Sequence, residues 1–396
     1  MQVVGVICEY NPFHTGHLWQ LAELRRRGAE AIVCAMSGNF TQRGDLAVVR
    51  KHVRAEAALR GGADLVLELP LPWATASAEG FAKGGVETLA ATGVVDTLAF
   101  GSECADTART VRVAAALSSE AFAAALKKEL SAGDSFAAAR QRSAETLLGA
   151  DAAILSSPND ILGVEYCKAL RQQGGSVEPL ALPRVGAAHN GEAAGEYASA
   201  SYLRERLLRG EDAALWLTPD MLRLYETERA AGRAPVRLET VERAALAKLR
   251  AMREADFAAY DEGNEGLYHR FYDVSRRATS LAELLDAVKT KRYAHARVRR
   301  MLLAVLLDIK SIERKISLPY IRVLGMNYTG KRLLHAMRET AKLPILIKPA
   351  DVRELSEAAR NLMDLESRAT DFFALAYPDL RQSAGGGEWT TGPIIL

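Results

Sequence analysis

The sequence predicts an α/β fold in which a parallel sheet flanked by helices is followed by a mostly α-helical half. Three observations lead there. From Gln2 to about Gly210, short apolar runs alternate with stretches of helical spacing, the pattern of strands joined by crossover helices. The first run ends in a Pro-containing turn and re-enters helical spacing at once. Beyond about Leu215 the alternation stops, and segments of alternating charge such as residues 237–246 suggest helices with polar outer faces. The expected division is therefore 1–212 and 213–396.

Length and composition narrow the class. At 396 residues, 49% hydrophobic and 25% charged, the chain can bury a sizeable core and build two domains. Lys and Arg number 51 against 49 Asp and Glu, so any basic surface for nucleic acid must be local. Cys8, Cys34, Cys104 and Cys167 lie far apart without CxxC or Cys/His ligand spacing, which argues against a zinc site and a disulfide framework and fits a reducing cytoplasm. No basic n-region precedes a signal-length apolar stretch, and no apolar run reaches the ~18 residues of a transmembrane helix. A cytoplasmic protein with no membrane partner is expected. No internal repeat is found.

The first element, from Gly5 to Leu18, reads as a nucleotide-binding strand, turn and helix start. Free N–H groups opening a helix hold phosphate oxygens without water. His14 and His17 stand one helical turn apart there, so both rings can face one ligand. Imidazole switches between donor and cation near neutral pH, which suits a phosphate under attack. Gly16 lets a flat base lie against backbone. Capped or surface histidines are the other reading of a bare HxGH, and the β-branched run before it with Leu18, Leu21 and Leu24 after it favours the first.

The helix stops near Gly28, and strands are expected at 31–36, 64–69 and 97–100, with Ala78, Phe81, Ala82 and Leu89 sharing a helical face between the last two. In such a sheet ligands lie outside the carboxyl ends of the strands. After the second strand, Asn39, Gln42 and Arg43 in the polar loop 37–44 are placed to orient a carboxylate or phosphate, or form a solvated turn. Arg50, Lys51, His52 and Arg54 make a basic cluster whose simpler explanation is a solvated helix face. After the fourth strand, Gly101 permits close backbone approach to a nucleotide. Residues 107–148, alanine-rich and broken near Gly133, read as covering helices. Asn159 or Asp160 can cap the helix that begins near Pro158. The run 177–182 contains Pro179 and reads as an edge strand ending at Arg184, a phosphate or ribose contact. Ser199 or Ser201 can cap a further helix, with Arg204 one turn on to neutralise a leaving anion.

In the second half, residues 289–300 hold six Lys/Arg among twelve. Lys289, Lys291, Arg292, Arg297 and Arg300 would neutralise phosphates and Tyr293 would stack on a base, as an RNA loop requires; a charged helix is the alternative. Residues 344–347 read as one buried strand, and Gly385 to Gly387 as a flexible or turning tail.

The HxGH signature resembles that of the nucleotidyltransferase and class I aminoacyl-tRNA synthetase superfamily. The longer strings EYNPFHTGHL, MSGNFTQRG, GADLVLELP, FGSE and SPNDILGVEY resemble the tRNA(Met) cytidine acetate ligase family, across most of the first half and more weakly beyond. That resemblance implies a Rossmann-like parallel sheet of the HxGH nucleotidyltransferase type with a helical tRNA-binding half. It implies ATP as co-substrate, acetate as acid and elongator methionine tRNA as partner, with acetyl-adenylate acetylating the wobble cytidine and no covalent enzyme intermediate. Carried onto this sequence, the ATP site comprises Ile7, Cys8, Glu9, Tyr10, Asn11, Pro12, Phe13, His14, Thr15, Gly16, His17 and Leu18, with Gly101, Asn159, Arg184 and Ser201. His14, His17 and Arg204 are the catalytic set. Magnesium is expected with the triphosphate, held by no dedicated protein cage. Two departures stand out: no tyrosine precedes His189, and Ala198 replaces the usual isoleucine. An adenylyltransferase for a small phosphorylated metabolite and a non-catalytic RNA-binding protein are the alternatives.

Overall fold

A computed structural model describes residues 2–132, 136–175, 177–185, 195–261, 266–290, 293–314 and 316–396. The expected strands are present: β1 (Val3–Cys8), β2 (Ala31–Ser37), β5 (Leu65–Leu69), β6 (Thr97–Ser102) and β7 (Glu178–Pro183). They pair in parallel in the order β5-β2-β1-β6-β7, so β7 is an edge strand as its proline suggests. Between β2 and β5 the polar loop closes into a small antiparallel hairpin, β3 (Phe40–Thr41) with β4 (Asp45–Leu46).

The second half is mostly helical, as expected, yet it also completes the sheet. β8 (Ile321–Met326) runs antiparallel beside β5, and β9 (Ile345–Leu346) and β10 (Ile394–Ile395) pair with β8. Residues 344–347 thus do contain a strand. The glycine tail is built in: Gly386, at φ +83°, caps the short helix Gly387–Thr390, and its N–H donates to Asp371 Oδ1 at 2.7 Å.

Period-two alternation divides the core between the faces of the sheet. Val3 and Ile7 of β1 pack with Phe81, Ala82 and Val86 of the helix Ala78–Ala90, while Val4, Val6 and Cys8 pack with Leu21 and Leu24 of the helix Thr15–Arg26. A Cβ on Gly85 would lie 2.7 Å from Ile7 Cδ1, so glycine is what lets that helix lie so close to β1.

The cluster Arg50 to Arg54 is no solvated face. Arg54 is fully buried and donates to the carbonyls of Glu9, Gly38 and Val49, tying together the ends of β1 and β2. Lys51 Nζ lies 2.6 Å from both Glu68 and Glu388, and Arg322 contacts the same two carboxylates. Burial alone would raise the Glu388 carboxyl, but Lys51 and Arg322 hold it well below its ordinary value. Arg50 pairs with Glu228 at 3.0 Å. The ion partners come from far along the chain, so composition around residue 50 carried no sign of them.

Candidate active site

β1 connects onward to β2 on one side while β6 flanks it on the other, making the switch point where α/β sheets bind ligands. A cavity of about 240 Å³ opens there, outside the carboxyl ends of β1, β6 and β7. Of the expected site residues, Ile7, Cys8, Glu9, Tyr10, Asn11, His14, Gly16, His17, Gly101, Asn159, Arg184, Ser201 and Arg204 line it. Pro12, Phe13, Thr15 and Leu18 do not. Phe13 is fully buried against Gly61, Thr15 donates to the Glu196 carbonyl at 2.8 Å, and Leu18 faces outward.

The turn between β1 and its helix is held from several sides. Tyr10, at φ +47°, is buried, with its ring edge-on to Phe13 and to His17 at centroid distances of 5.0 and 4.8 Å. Asn11 Oδ1 accepts from Val48 N at 2.9 Å, and its backbone carbonyl accepts from Arg204 at 3.1 Å.

His14 is the N-cap of the helix Thr15–Arg26. Its Nδ1 accepts from Gly16 N at 3.1 Å, and His17 Nδ1 accepts from His14 N at 3.3 Å, a reciprocal capping box made by imidazoles. The rings stack with centroids 3.7 Å apart. With each Nδ1 occupied as an acceptor, each neutral ring carries its proton on Nε2. Burial, then Arg184 and Arg204, lowers the His14 pKa to about 3; burial, then His14 and Arg184, lowers that of His17 well below its ordinary value. The pair therefore offers neutral donors, not the donor-to-cation switch expected from the sequence.

Around them gather guanidiniums. Arg43 and Arg204 both donate to Ser201 Oγ, at 2.8 and 3.0 Å, and burial lowers the pKa of Arg184 and Arg204. Of the two candidate caps, Ser199 takes that role, accepting from Tyr202 N at 3.2 Å, which leaves Ser201 to the cavity. Gly101 faces Arg184, whose Cγ would lie 3.3 Å from an added Cβ. Asn159 Nδ2 donates to Glu103 Oε1 at 2.5 Å. Neither Asn159 nor Asp160 caps its own helix. Instead Asp160 Oδ1 accepts from Ser102 Oγ and Glu103 N, while Glu103 Oε2 accepts from Asp160 N, a reciprocal lock that fixes the end of β6.

Sequence reasoning left Gln42 and Arg43 undecided between site and solvated turn; both line the cavity, and their glycine-bounded polar loop after a strand was the signal. It missed the apolar wall of Phe81, Phe100, Leu162 and Tyr166, which only the crossing of two helices over the sheet brings together. Asn39 turns inward, its Oδ1 accepting from Lys51 N at 2.8 Å. His189, Lys291 and Arg292 lie outside the described residues. Lys289 is exposed, but Tyr293 is buried and cannot stack on a base as expected. Arg297 lies over the Tyr293 ring at 5.4 Å and pairs with Asp261 at 3.3 Å, and Arg300 is lowered to a pKa of about 10 by burial. The helix His295–Leu307 nevertheless abuts the cavity rim. Arg299 Nη1 bonds Asp45 Oδ2 at 3.0 Å, and a Cβ on Gly44 would lie 2.5 Å from Arg300 N. Among the described residues no group of three or more His, Cys, Asp or Glu is placed to hold a metal ion, and no helix is long and apolar enough to cross a membrane.

A sequence model of the HIGH Nucleotidyl Transferase family matches residues 1–387. The tRNA(Met) cytidine acetate ligase of Acetivibrio thermocellus is 35% identical, with all of both chains covered. That of Fervidobacterium nodosum is 37% identical over 91% of this chain and 87% of its own. Among solved structures, Thermotoga maritima TmcAL in its apo form superposes with a TM-score of 0.95, and TmcAL bound with alpha-thio ATP with 0.94, each at 34% identity and full coverage of both chains.

Proposed function

Because the chain belongs to the tRNA(Met) cytidine acetate ligase family, within the HIGH nucleotidyltransferases, we propose that it joins acetate to ATP and passes the acetyl group to the wobble cytidine of elongator methionine tRNA. The observation that carries the reading is the convergence of two neutral imidazoles and three guanidiniums on one cavity at the switch point of the sheet.

Acetate is ionised at neutral pH, so its attack on the α-phosphate needs charge stabilisation more than a base. The Nε2–H groups of His14 and His17 donate to phosphate oxygens from a fixed, desolvated position. Gly101, Asn159 and Arg184 hold the nucleotide, and Arg204, steadied by Ser201 and the Asn11 carbonyl, meets the departing pyrophosphate with Arg43 beside it. Magnesium would ride on the triphosphate's own oxygens, where it supplies further charge neutralisation. A cytidine amine is a poor nucleophile, so the second half must place it accurately. Lys289, Lys291, Arg292, Arg297 and Arg300 are the proposed RNA contacts, and Arg299 with the backbone of Arg300 meets the hairpin at the cavity rim. A tRNA substrate puts this work in the cytoplasm, which agrees with four unpaired thiols.

Incubation with ATP, labelled acetate and total tRNA, followed by nucleoside analysis, is expected to place label in N4-acetylcytidine. Pyrophosphate release triggered by a phosphomonoester in place of acetate would favour a metabolite adenylyltransferase. RNA binding without ATP turnover would leave a non-catalytic protein.

A further inference from the structure

The two half-reactions make opposite demands on the cavity. Adenylation gathers negative charge, and His14, His17, Arg43, Arg184 and Arg204 answer it. Amide formation sheds a proton, because the neutral amine becomes cationic as its bond to carbon forms, and a base must receive it. The histidines are poor candidates for that base, since both Nδ1 atoms accept backbone N–H groups and both rings are held as neutral donors.

Among the described residues one carboxylate lines the cavity, that of Glu9. A carboxylate facing a triphosphate opposes binding, so its presence among so many cations calls for a role outside phosphate recognition. The neighbouring acids are committed elsewhere: Glu103 to Asn159 and the Asp160 N–H, Asp160 to the end of β6, and Asp45 to Arg299 and the Leu46 N–H. Glu9 Oε1 accepts from Gln42 N at 2.7 Å, while Oε2 accepts no hydrogen bond from the described residues. Its backbone carbonyl is gripped by the buried Arg54, so the side chain springs from a fixed point. The hairpin tip it touches carries Gln42 and Arg43 on one side and meets the basic helix His295–Leu307 on the other, which is where RNA would arrive.

We propose that Glu9 receives the amine proton when cytidine attacks the acetyl-adenylate. The inference rests on the acetyl-transfer reading above. The amine lone pair forms the C–N bond, the carbonyl π pair moves to oxygen, and Glu9 Oε2 takes one N4 proton. The oxygen pair then restores the carbonyl as the C–O bond to phosphate breaks, AMP leaves with that pair, and Glu9 releases its proton to solvent. A carboxylate suffices, because the nitrogen becomes strongly acidic once bonded to the tetrahedral carbon.

The test is Glu9→Gln, which keeps an oxygen to accept from Gln42 N. Two quantities are measured: acetate-dependent exchange of pyrophosphate into ATP, and single-turnover acetyl transfer to tRNA. Transfer is expected to fall about 10²–10³-fold and exchange less than tenfold. Equal losses in both assays overturn the proposal by assigning Glu9 to the nucleotide or its cation, and undiminished transfer overturns it as well. If the variant does not fold, Glu9→Asp, which keeps the carboxylate but withdraws it, decides: transfer is expected to fall more than exchange, and equal losses refute the role. Absence of acetate-dependent exchange in the parent would instead refute the functional reading beneath it.

Discussion

His14 serves the helix with one nitrogen and, in the proposed mechanism, the phosphate with the other, and a substitution can separate the two roles. Asparagine places an oxygen near the Nδ1 position and is among the best N-caps, but it has nothing where Nε2–H points. His14→Asn is therefore expected to keep the thermal midpoint within a few degrees while slowing adenylation about 10²–10³-fold; a midpoint that collapses, or exchange that survives, would refute the division. The ring's neutrality has a second consequence. His14 and His52 are lowered to about 3, and His17 well below its ordinary value, in each case chiefly by burial. An unfolded histidine titrates near 6.5. The stability tied to these rings is complete above pH 6.5 and drains away as pH falls from 6.5 toward 3, because the unfolded chain takes up protons that the folded one refuses. Denaturation midpoints measured from pH 7 to 4 should decline over that window, and His52→Asn should flatten the decline. The pair's place at a strand-to-helix turn could be read from HxGH and its apolar flanks. Its protonation could not, since burial and nearby arginines from residues 184 and 204 decide it.

At the scale of elements, the parallel strands were legible because strands buried on both faces are almost wholly apolar, and every residue of β1, β2 and β5 is buried, with Glu68 and Ser37 the polar exceptions. The β3–β4 hairpin was not, since two-residue strands leave no periodicity. It holds its place by backbone proximity: Gly44 adopts φ +80°, and an added Cβ would meet the backbone of Arg299 and Arg300 at about 2.6 Å. Gly44→Ala should cost about 1–3 kcal/mol in chemical denaturation and raise the KM for ATP, because the displaced tip carries Arg43. Unchanged values for both would show that the hairpin yields freely. Tyr293 teaches a related lesson, since an aromatic among basic residues looks the same in sequence whether it faces RNA or, as here, packs beneath an arginine.

Across the whole molecule, the halves share one sheet and one buried ion cluster. Removing Glu388 would strand Lys51 and Arg322 without their second carboxylate, and Glu388→Ala is expected to cost about 3–5 kcal/mol in urea unfolding. A cost below about 1 kcal/mol would mean the two cations repair the loss locally. Such pairing over 337 positions is invisible to any local pattern, which is why the cluster near residue 50 reads in sequence as ordinary surface. It also constrains biosynthesis. Lys51 leaves the ribosome hundreds of residues before Glu388 does, so the first half must wait, incompletely closed, for a late arrival. A gene split between the halves would yield one product with a buried lysine short of its second carboxylate and another with a strand lacking its neighbour, and neither is expected to fold until they are translated together.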